Sequence, residues 1–308
     1  VAGYYDIEVD GRSPEEVANE LADLYIAQFG QQKGVIAPIR RAPEKRQKIW
    51  EEQGVLPRGV DRETVEALHR THIGDDQDPE HILQHAIKTA LADGWGGSLI
   101  ATDVSDILFG TPAPILGQAN LGVLKADMVN VVVHGHEPTL SEMIVAASQT
   151  PEIIEYAKAA GAKGVQLSGI CCTANEILMR QGIPAAGNFL QQELSIMTGA
   201  VEAMVVDVQC IMQALVGLAE NFHTKIITTS PKVKLKGATH IQFDEHHALT
   251  IAKNILKEAI DNFKNRGSIQ IPDVREDLIP GFSHEYINYM LGGSYRSSFR
   301  PLNDAIMS

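Results

Sequence analysis

Apolar side chains recur at helical spacing through the first 93 residues and predict an all-helical segment. Its first helix starts at Ser13, where Ser13-Pro14-Glu15-Glu16 combines a capping box with proline at the first helical position, and it ends at Gly30. The other predicted helices cover residues 43–53, 62–72 and 78–94. No β-rich segment interrupts this region, so residues 1–93 form the first predicted domain.

The pattern changes near Ser98 to short apolar runs that alternate with amphipathic stretches. Predicted strands cover residues 98–102, 128–133, 164–170, 203–209, 225–229 and 240–243. Predicted helices between and after them cover residues 139–148, 151–160, 173–181, 192–198 and 246–266. Such alternation is typical of βαβ units. We therefore predict an α/β fold class: a helical N-terminal segment followed by a Rossmann-like parallel sheet domain over residues 94–308. The part beyond Gly267 is loop-rich, with one short predicted helix near residues 284–291.

Composition narrows the classes of function. The net charge of −13 argues against binding to nucleic acid or to an anionic membrane surface. No apolar run reaches the roughly 18 residues of a membrane span. Nucleotide-binding glycine motifs and the Gly-x-Ser-x-Gly elbow of serine hydrolases are absent from the sequence. Three cysteines, two of them adjacent, make a poor disulfide framework, so we expect a reducing cytoplasm.

The candidate chemistry follows three of the predicted strands. His134-Gly135-His136, Cys171-Cys172 and Cys210 each come directly after a short apolar run. In an open parallel sheet, ligands bind outside the carboxyl ends of the strands, so these side chains should converge. Thiolate and imidazole groups are ligands for transition metals and iron–sulfur centres. The sequence therefore predicts a metal centre at this edge.

Each candidate ligand also has a simpler, structural interpretation. Cys171 and Cys172 lie where a strand meets a helix, and a helix N-terminus is expected to lower a thiol pKa, although a free cysteine is also a common core residue. Taken alone, Cys210 reads as a core residue. Of His134 and His136 we expect one to bind metal and the other to make hydrogen bonds.

Two further groups carry weaker signals. His81 and His85 are four residues apart on a predicted helix and could share a zinc ion, but two exposed histidines are the simpler interpretation. Asp103 and Asp106 follow the predicted strand 98–102, so a carboxylate there could act as a base beside the metal centre. Helix capping or loop hydrogen bonding is the simpler role for them.

The motifs together resemble a known family. Gly169-Ile170-Cys171-Cys172-Thr173-Ala174-Asn175-Glu176, Val206-Asp207-Val208-Gln209-Cys210-Ile211 and His134-Gly135-His136 are similar to the metal-centre motifs of anaerobic nickel–iron carbon monoxide dehydrogenase. Ala92-Asp93-Gly94-Trp95-Gly96-Gly97 and Asp106-Ile107-Leu108-Phe109-Gly110-Thr111-Pro112 resemble that family too. The resemblance covers nearly all of the chain. It is greatest to the acetogen-type catalytic subunit that works with acetyl-CoA synthase.

The resemblance implies an activity and a site. The family oxidises carbon monoxide with water to carbon dioxide, two protons and two electrons at a nickel–iron–sulfur cluster of the Ni-4Fe-4S type. Carried over by motif position, His136 and Cys172 would hold an iron outside the cubane and Cys210 a cubane iron. Cys171 would be a neighbour that binds transiently. The family also implies a homodimer, further 4Fe-4S relay clusters and an electron carrier such as ferredoxin.

The sequence departs from the family in its cysteine count. The family's cluster needs further cysteines from a downstream domain, and its relay clusters need N-terminal cysteines, yet only three cysteines are present. We therefore expect a central portion of the enzyme that does not hold a complete cluster by itself. The alternatives are a reductase like the hybrid-cluster proteins, which would turn over hydroxylamine without nickel, and a non-catalytic scaffold or docking domain.

Overall fold

The computed structural model describes residues 1–283 together with 286 and 287, and its chain divides into two compact units. The helical unit is Val1–Gly110, and the sheet unit begins at Thr111. The helical unit contains α1 (Pro14–Gly30), α2 (Glu44–Glu52), α3 (Val60–Leu68), α4 (Pro79–Leu91) and α5 (Leu99–Phe109). At the start of α1, Ser13 and Glu16 form the predicted capping box. These helices confirm the helical N-terminal segment.

The strand predicted over residues 98–102 is wrong. This stretch enters α5 directly from a π-helical segment, Ala92–Ser98. A run of three apolar residues, Leu99 to Ala101, does not distinguish a strand from a buried helical turn. Ile100 packs in the core of the helical unit beside Tyr5 and Tyr25, which favours the helix. The helical unit therefore extends to Gly110, beyond the predicted boundary after residue 93.

In the described part of the second unit, the strands form one sheet of eight. In chain order the strands are β1 (Gly117–Ala119), β2 (Val129–Gly135), β3 (Val165–Ile170), β4 (Ala185–Gly187), β5 (Val201–Val206), β6 (Lys225–Thr228), β7 (Thr239–His240) and β8 (Glu276–Leu278). Their spatial order is β7-β6-β5-β2-β3-β4-β1-β8, and only the β1–β8 pair is antiparallel. The Rossmann-like parallel sheet is thus confirmed. The three-residue strands β1, β4 and β8 were not predicted.

Helices cover both faces of this sheet. They are α6 (Pro138–Ser148), α7 (Pro151–Ala159), α8 (Cys171–Gln181), α9 (Gln192–Met197), α10 (Ala214–Ala219) and α11 (Ala248–Asn262). Val131 and Val133 of β2 pack in one core cluster with residues of α6 and α11, whereas Val132 packs in another with residues of α9 and α10. Alternate side chains of a buried strand fill opposite cores, and β2 is accordingly buried throughout its length. The helix predicted near residues 284–291 lies almost wholly outside the described residues.

Candidate metal centre

The candidate ligands lie at the carboxyl ends of three neighbouring strands. β2 ends in the His134-Gly135-His136 segment, β3 leads into Cys171, and Cys210 follows β5. β2 stands between β3 and β5 in the sheet. The chain proceeds from β2 to β3 on one side and from β5 to β6 on the other, so the connections diverge between β2 and β5. Ligands of open α/β sheets bind at such a switch point.

His136 presents one ring nitrogen towards Cys210. Its Nδ1 lies 3.2 Å from the carbonyl oxygen of Val208. Because a carbonyl oxygen only accepts, Nδ1 carries the proton and donates, which leaves the lone pair on Nε2. Nε2 lies 3.9 Å from Cys210 Sγ. A histidine held through one nitrogen with the other free is the usual arrangement of a metal ligand.

His134 has different surroundings. Its side chain is fully buried, and Nε2 lies 3.1 Å from Oε1 of Gln192. The Gln192 amide group donates to the carbonyl of Phe189, so its oxygen is the acceptor for His134. Burial lowers the pKa of His134, so the imidazole is neutral at pH 7. This side chain belongs to the core beneath the candidate centre.

The three thiols gather around the start of α8. Cys171 is half-buried, while Cys172 and Cys210 are exposed, and all three are free. Cys171 and Cys210 have positive φ angles of 64° and 53°, which side chains other than glycine rarely adopt. Gln209, next to Cys210, also has a positive φ of 62°. Backbone strain of this kind is concentrated at functional sites.

The predicted lowering of the thiol pKa is wrong for both adjacent cysteines. Burial, and then the nearby Cys210 and Cys172 thiols, raise the pKa of Cys171 to about 12. Burial and the charge of Cys210 raise the pKa of Cys172 as well. These effects outweigh the partial positive charge of the helix N-terminus. The thiols of Cys171 and Cys172 are therefore protonated at neutral pH.

Asp207 lies beneath the ligand segments and was not singled out from the sequence. It is 5% exposed, and it accepts hydrogen bonds from the backbone N–H groups of His136 and Glu137 at 2.7 and 3.0 Å. The N–H of Val208 and the hydroxyl of Thr173 donate to it as well. Burial raises its pKa, against the effect of the hydrogen bonds. The sequence does place a carboxylate inside the otherwise apolar run Val205-Val206-Asp207-Val208, and this feature could have identified Asp207 as a functional candidate.

The weaker candidates lie elsewhere. Asp103 is in α5 of the helical unit, where it accepts hydrogen bonds from Tyr25 and Arg41 at 2.7 Å each, and Asp106 is in the same helix. The expectation that they share the strand-end site is wrong. His81 and His85 differ in exposure: the His81 side chain is 58% exposed and that of His85 is 6% exposed, so the interpretation as two exposed histidines holds only for His81.

Glu137 caps α6 by accepting from the N–H of Thr139.

Among the described residues, no group of three or more His, Cys, Asp or Glu side chains is arranged to hold a metal ion. No helix in the described part of the chain is long and apolar enough to cross a bilayer.

The donor set suits soft metals. Three thiols and one free imidazole nitrogen are the ligand types of iron–sulfur and nickel centres, and no hard, all-oxygen cage accompanies them in the described residues. The fold and the site thus define an α/β protein with three thiols and an imidazole near the switch point of its sheet.

Comparisons with known proteins identify the family. Residues 1–307 match the Prismane/CO dehydrogenase family, and the chain belongs to it. The chain is 54% identical to carbon monoxide dehydrogenase 1 of Methanosarcina mazei, over 99% of this chain and 48% of that protein. It is 43% identical to the carbon monoxide dehydrogenase/acetyl-CoA synthase subunit beta of Moorella thermoacetica, over 98% of this chain and 45% of that protein.

A solved structure agrees with the sequence relatives. The as-isolated, nickel-free carbon monoxide dehydrogenase from Thermococcus sp. AM4, produced without its CooC maturase, superposes with a TM-score of 0.92 at 50% identity. The match covers 99% of this chain and 48% of that one. The chain thus spans about half the length of the curated relatives it matches.

Proposed function

We propose that the chain is part of a nickel–iron–sulfur carbon monoxide dehydrogenase, which catalyses the reversible oxidation of carbon monoxide. The reaction takes carbon monoxide and water to carbon dioxide, two protons and two electrons, and the electrons pass to a carrier such as ferredoxin. The observation that carries the proposal is the gathering of one free imidazole nitrogen and three thiols at neighbouring strand ends in a member of this family.

The ligand roles follow the motif positions. Carried over by motif position, His136 and Cys172 would together hold one iron of the cluster, Cys210 would hold another, and Cys171 would be a neighbour that binds transiently. The hydrogen bond from His136 Nδ1 to Val208 supports the choice of His136 over the fully buried His134. When bound, the cluster supplies the Lewis acid and redox centre at which carbon monoxide and water react.

This chain's own residues hold and orient that centre. The imidazole is fixed through Nδ1, so its free Nε2 needs little reorientation on binding. The raised pKa of Cys171 and Cys172 means that their protons leave as metal enters. The remaining ligands come from the rest of the same polypeptide, which also carries the further 4Fe-4S relay clusters.

The proposed assembly follows the named relatives. The relative from Moorella is a subunit of carbon monoxide dehydrogenase/acetyl-CoA synthase, which supports acetyl-CoA synthase as a partner. We also propose a homodimer, as the resemblance implies. Three free thiols suit a reducing cytoplasm.

The test uses the complete polypeptide, produced anaerobically with nickel. We expect nickel and iron in the purified protein and reduction of a viologen dye that depends on carbon monoxide. His136→Ala and Cys210→Ala should abolish dye reduction, whereas His246→Ala, at an exposed histidine outside the candidate ligand segments, should not. Full activity in the His136 and Cys210 variants would refute the site assignment. Hydroxylamine turnover without nickel would favour the hybrid-cluster alternative.

A further inference from the structure

Asp207 contacts all three segments that carry the candidate ligands. Its Oδ1 accepts from the N–H of His136 at 2.7 Å, and Oδ2 accepts from the hydroxyl of Thr173 at 3.3 Å. Thr173 follows Cys172 directly, and Val208, whose N–H also donates to Asp207, lies two residues before Cys210. One buried carboxylate therefore links the ends of β2 and β5 to the start of α8.

The chain around Asp207 is shaped to admit this carboxylate. Gly135 has a φ of 130°, and a Cβ atom there would lie 1.8 Å from Oδ1 of Asp207. Only glycine allows both this conformation and the close approach. On the other side, Gln209 and Cys210 both have positive φ angles, so Cys210 is presented by a turn that begins at the N–H held by Asp207.

The chemistry requires a carboxylate at this position. Four donors point at the two oxygens: three backbone N–H groups and one hydroxyl. An ionised carboxylate only accepts, so it satisfies all four donors. An asparagine would turn an N–H₂ group towards at least one of the N–H donors, and one ligand segment would lose its attachment.

We propose that Asp207 is a positioning residue of the metal centre: it holds His136, Cys172 and Cys210 in mutual register for cluster binding. This inference rests on the proposed function. Groups that orient metal ligands through hydrogen bonds typically change metal affinity or activity by about 10- to 100-fold when they are replaced.

Glu202 provides a matched control. It is a fully buried carboxylate in β5, near the end of the strand opposite to the one that Asp207 follows. It accepts from the N–H of Asn130 and from the guanidinium of Arg266, and it contacts none of the ligand segments in the described structure. Glu202→Gln therefore makes the same chemical change, from a buried carboxylate to an amide, without affecting the candidate centre.

The experiment compares Asp207→Asn, Glu202→Gln and the unaltered sequence in the complete polypeptide, produced anaerobically with nickel. The measurements are nickel and iron per protomer, the Mössbauer and EPR spectra of the cluster, and the melting temperature. We expect Asp207→Asn to lose about 10-fold or more of its cluster nickel, or to change the cluster spectrum. Glu202→Gln should keep the metal and the spectrum even where its melting temperature falls.

Unchanged metal content and spectra in Asp207→Asn would overturn the proposal, as would an equal loss of metal in Glu202→Gln at the same melting temperature. If Asp207→Asn does not fold, Thr173→Val removes one donor with little change in shape. An unchanged spectrum in that variant would then overturn the proposal. Failure of the proposed function is a separate outcome: the unaltered protein would then not oxidise carbon monoxide. The role of Asp207 could still be tested in that case, because metal content and spectra report on any iron–sulfur cluster that the protein holds.

Discussion

His134 and His136 are separated by one glycine, yet their imidazoles have opposite surroundings. His134 is fully buried and donates to Gln192, whereas His136 is anchored on Val208 and directs Nε2 towards Cys210 Sγ. Residues two apart on a regular strand lie on the same face, but the φ of 130° at Gly135 interrupts the strand conformation between the two histidines. The same side-chain chemistry therefore contributes to packing in one case and is available for metal binding in the other.

Glutamine substitutions should separate these two roles. In the complete polypeptide, His136→Gln should reduce nickel and iron content by about 10-fold or more. His134→Gln should retain most of the metal, but it should lower the free energy of unfolding by about 1–3 kcal/mol, because it disrupts a buried hydrogen bond. Metal analysis and urea denaturation measure the two effects. A larger metal loss in His134→Gln than in His136→Gln would contradict the assignment.

The placement of the candidate ligand residues at strand ends was predictable from the sequence, but the pKa values of their thiols were not. An apolar run followed by cysteine or histidine indicates a strand end, and the ends of parallel strands meet at one edge. The pKa of Cys171 depends on its burial and on the other two thiols. Its position at a helix N-terminus, which the sequence does show, gives information about neither. Asp207 was missed because its four donors come from three separate segments and only the folded chain brings them together.

β3 and α8 meet at a very short distance, directly before the paired cysteines. A Cβ atom on Gly169 would lie 2.4 Å from the Cα of Ala174 in the first turn of α8. Backbone atoms cannot move aside as the end of a flexible side chain can. The absence of a side chain at Gly169 therefore sets how closely the helix that carries Cys171 and Cys172 approaches the sheet.

Gly169→Ala should destabilise the protein by about 1–3 kcal/mol, since the added methyl group overpacks this contact. Gly217→Ala is the control: Gly217 lies in α10 and has nothing within 4 Å of an added Cβ. There alanine should be neutral, or stabilising by up to about 1 kcal/mol, because it is the better helix former. Urea denaturation midpoints measure both. Equal midpoints for the two variants would show that α8 can move away at no cost.

Sequence patterns predicted best the elements that contain a clear apolar run or a capping motif. β2 is central and fully buried and contains the apolar run Val131–Val133, and α1 has a complete capping box. β1 and β4 are three residues long, too short for a periodic pattern. The stretch 98–102 was misassigned because the apolar face of α5 begins there, and packing against Tyr25, not the local sequence, decides the outcome.

The protein as a whole carries a net charge of −13. Within its helical unit, some of the acidic side chains are paired with arginines. Glu63 is fully buried and accepts two hydrogen bonds from the Arg58 side chain at 2.8 Å each. Glu66 accepts from Arg58 at 2.7 Å and from Arg70 at 2.9 Å. Although burial opposes ionisation, the hydrogen bonds from Arg70 and Arg58 lower the pKa of Glu66 to about 2.

This network makes stability depend on pH in a defined direction. The folded-state pKa of Glu66 lies below its ordinary value of 4.5, so its contribution is fully present above pH 4.5 and is lost as the pH falls towards 2. Glu66→Gln should therefore lower the free energy of unfolding by about 1–3 kcal/mol at pH 7, and its difference from the unaltered protein should vanish near pH 2.

Removing one negative charge from a protein at −13 also relieves general repulsion, which acts in the opposite direction. Glu155→Gln removes the same charge at a side chain that is 71% exposed and paired with Lys158, so it isolates that general effect. Its stability change should stay within about 0.5 kcal/mol. Melting temperatures of the three proteins between pH 2 and pH 7 provide the measurement. A Glu66→Gln deficit that stays constant over this range would mean that the hydrogen bonds from Arg58 and Arg70 do not depend on ionised Glu66.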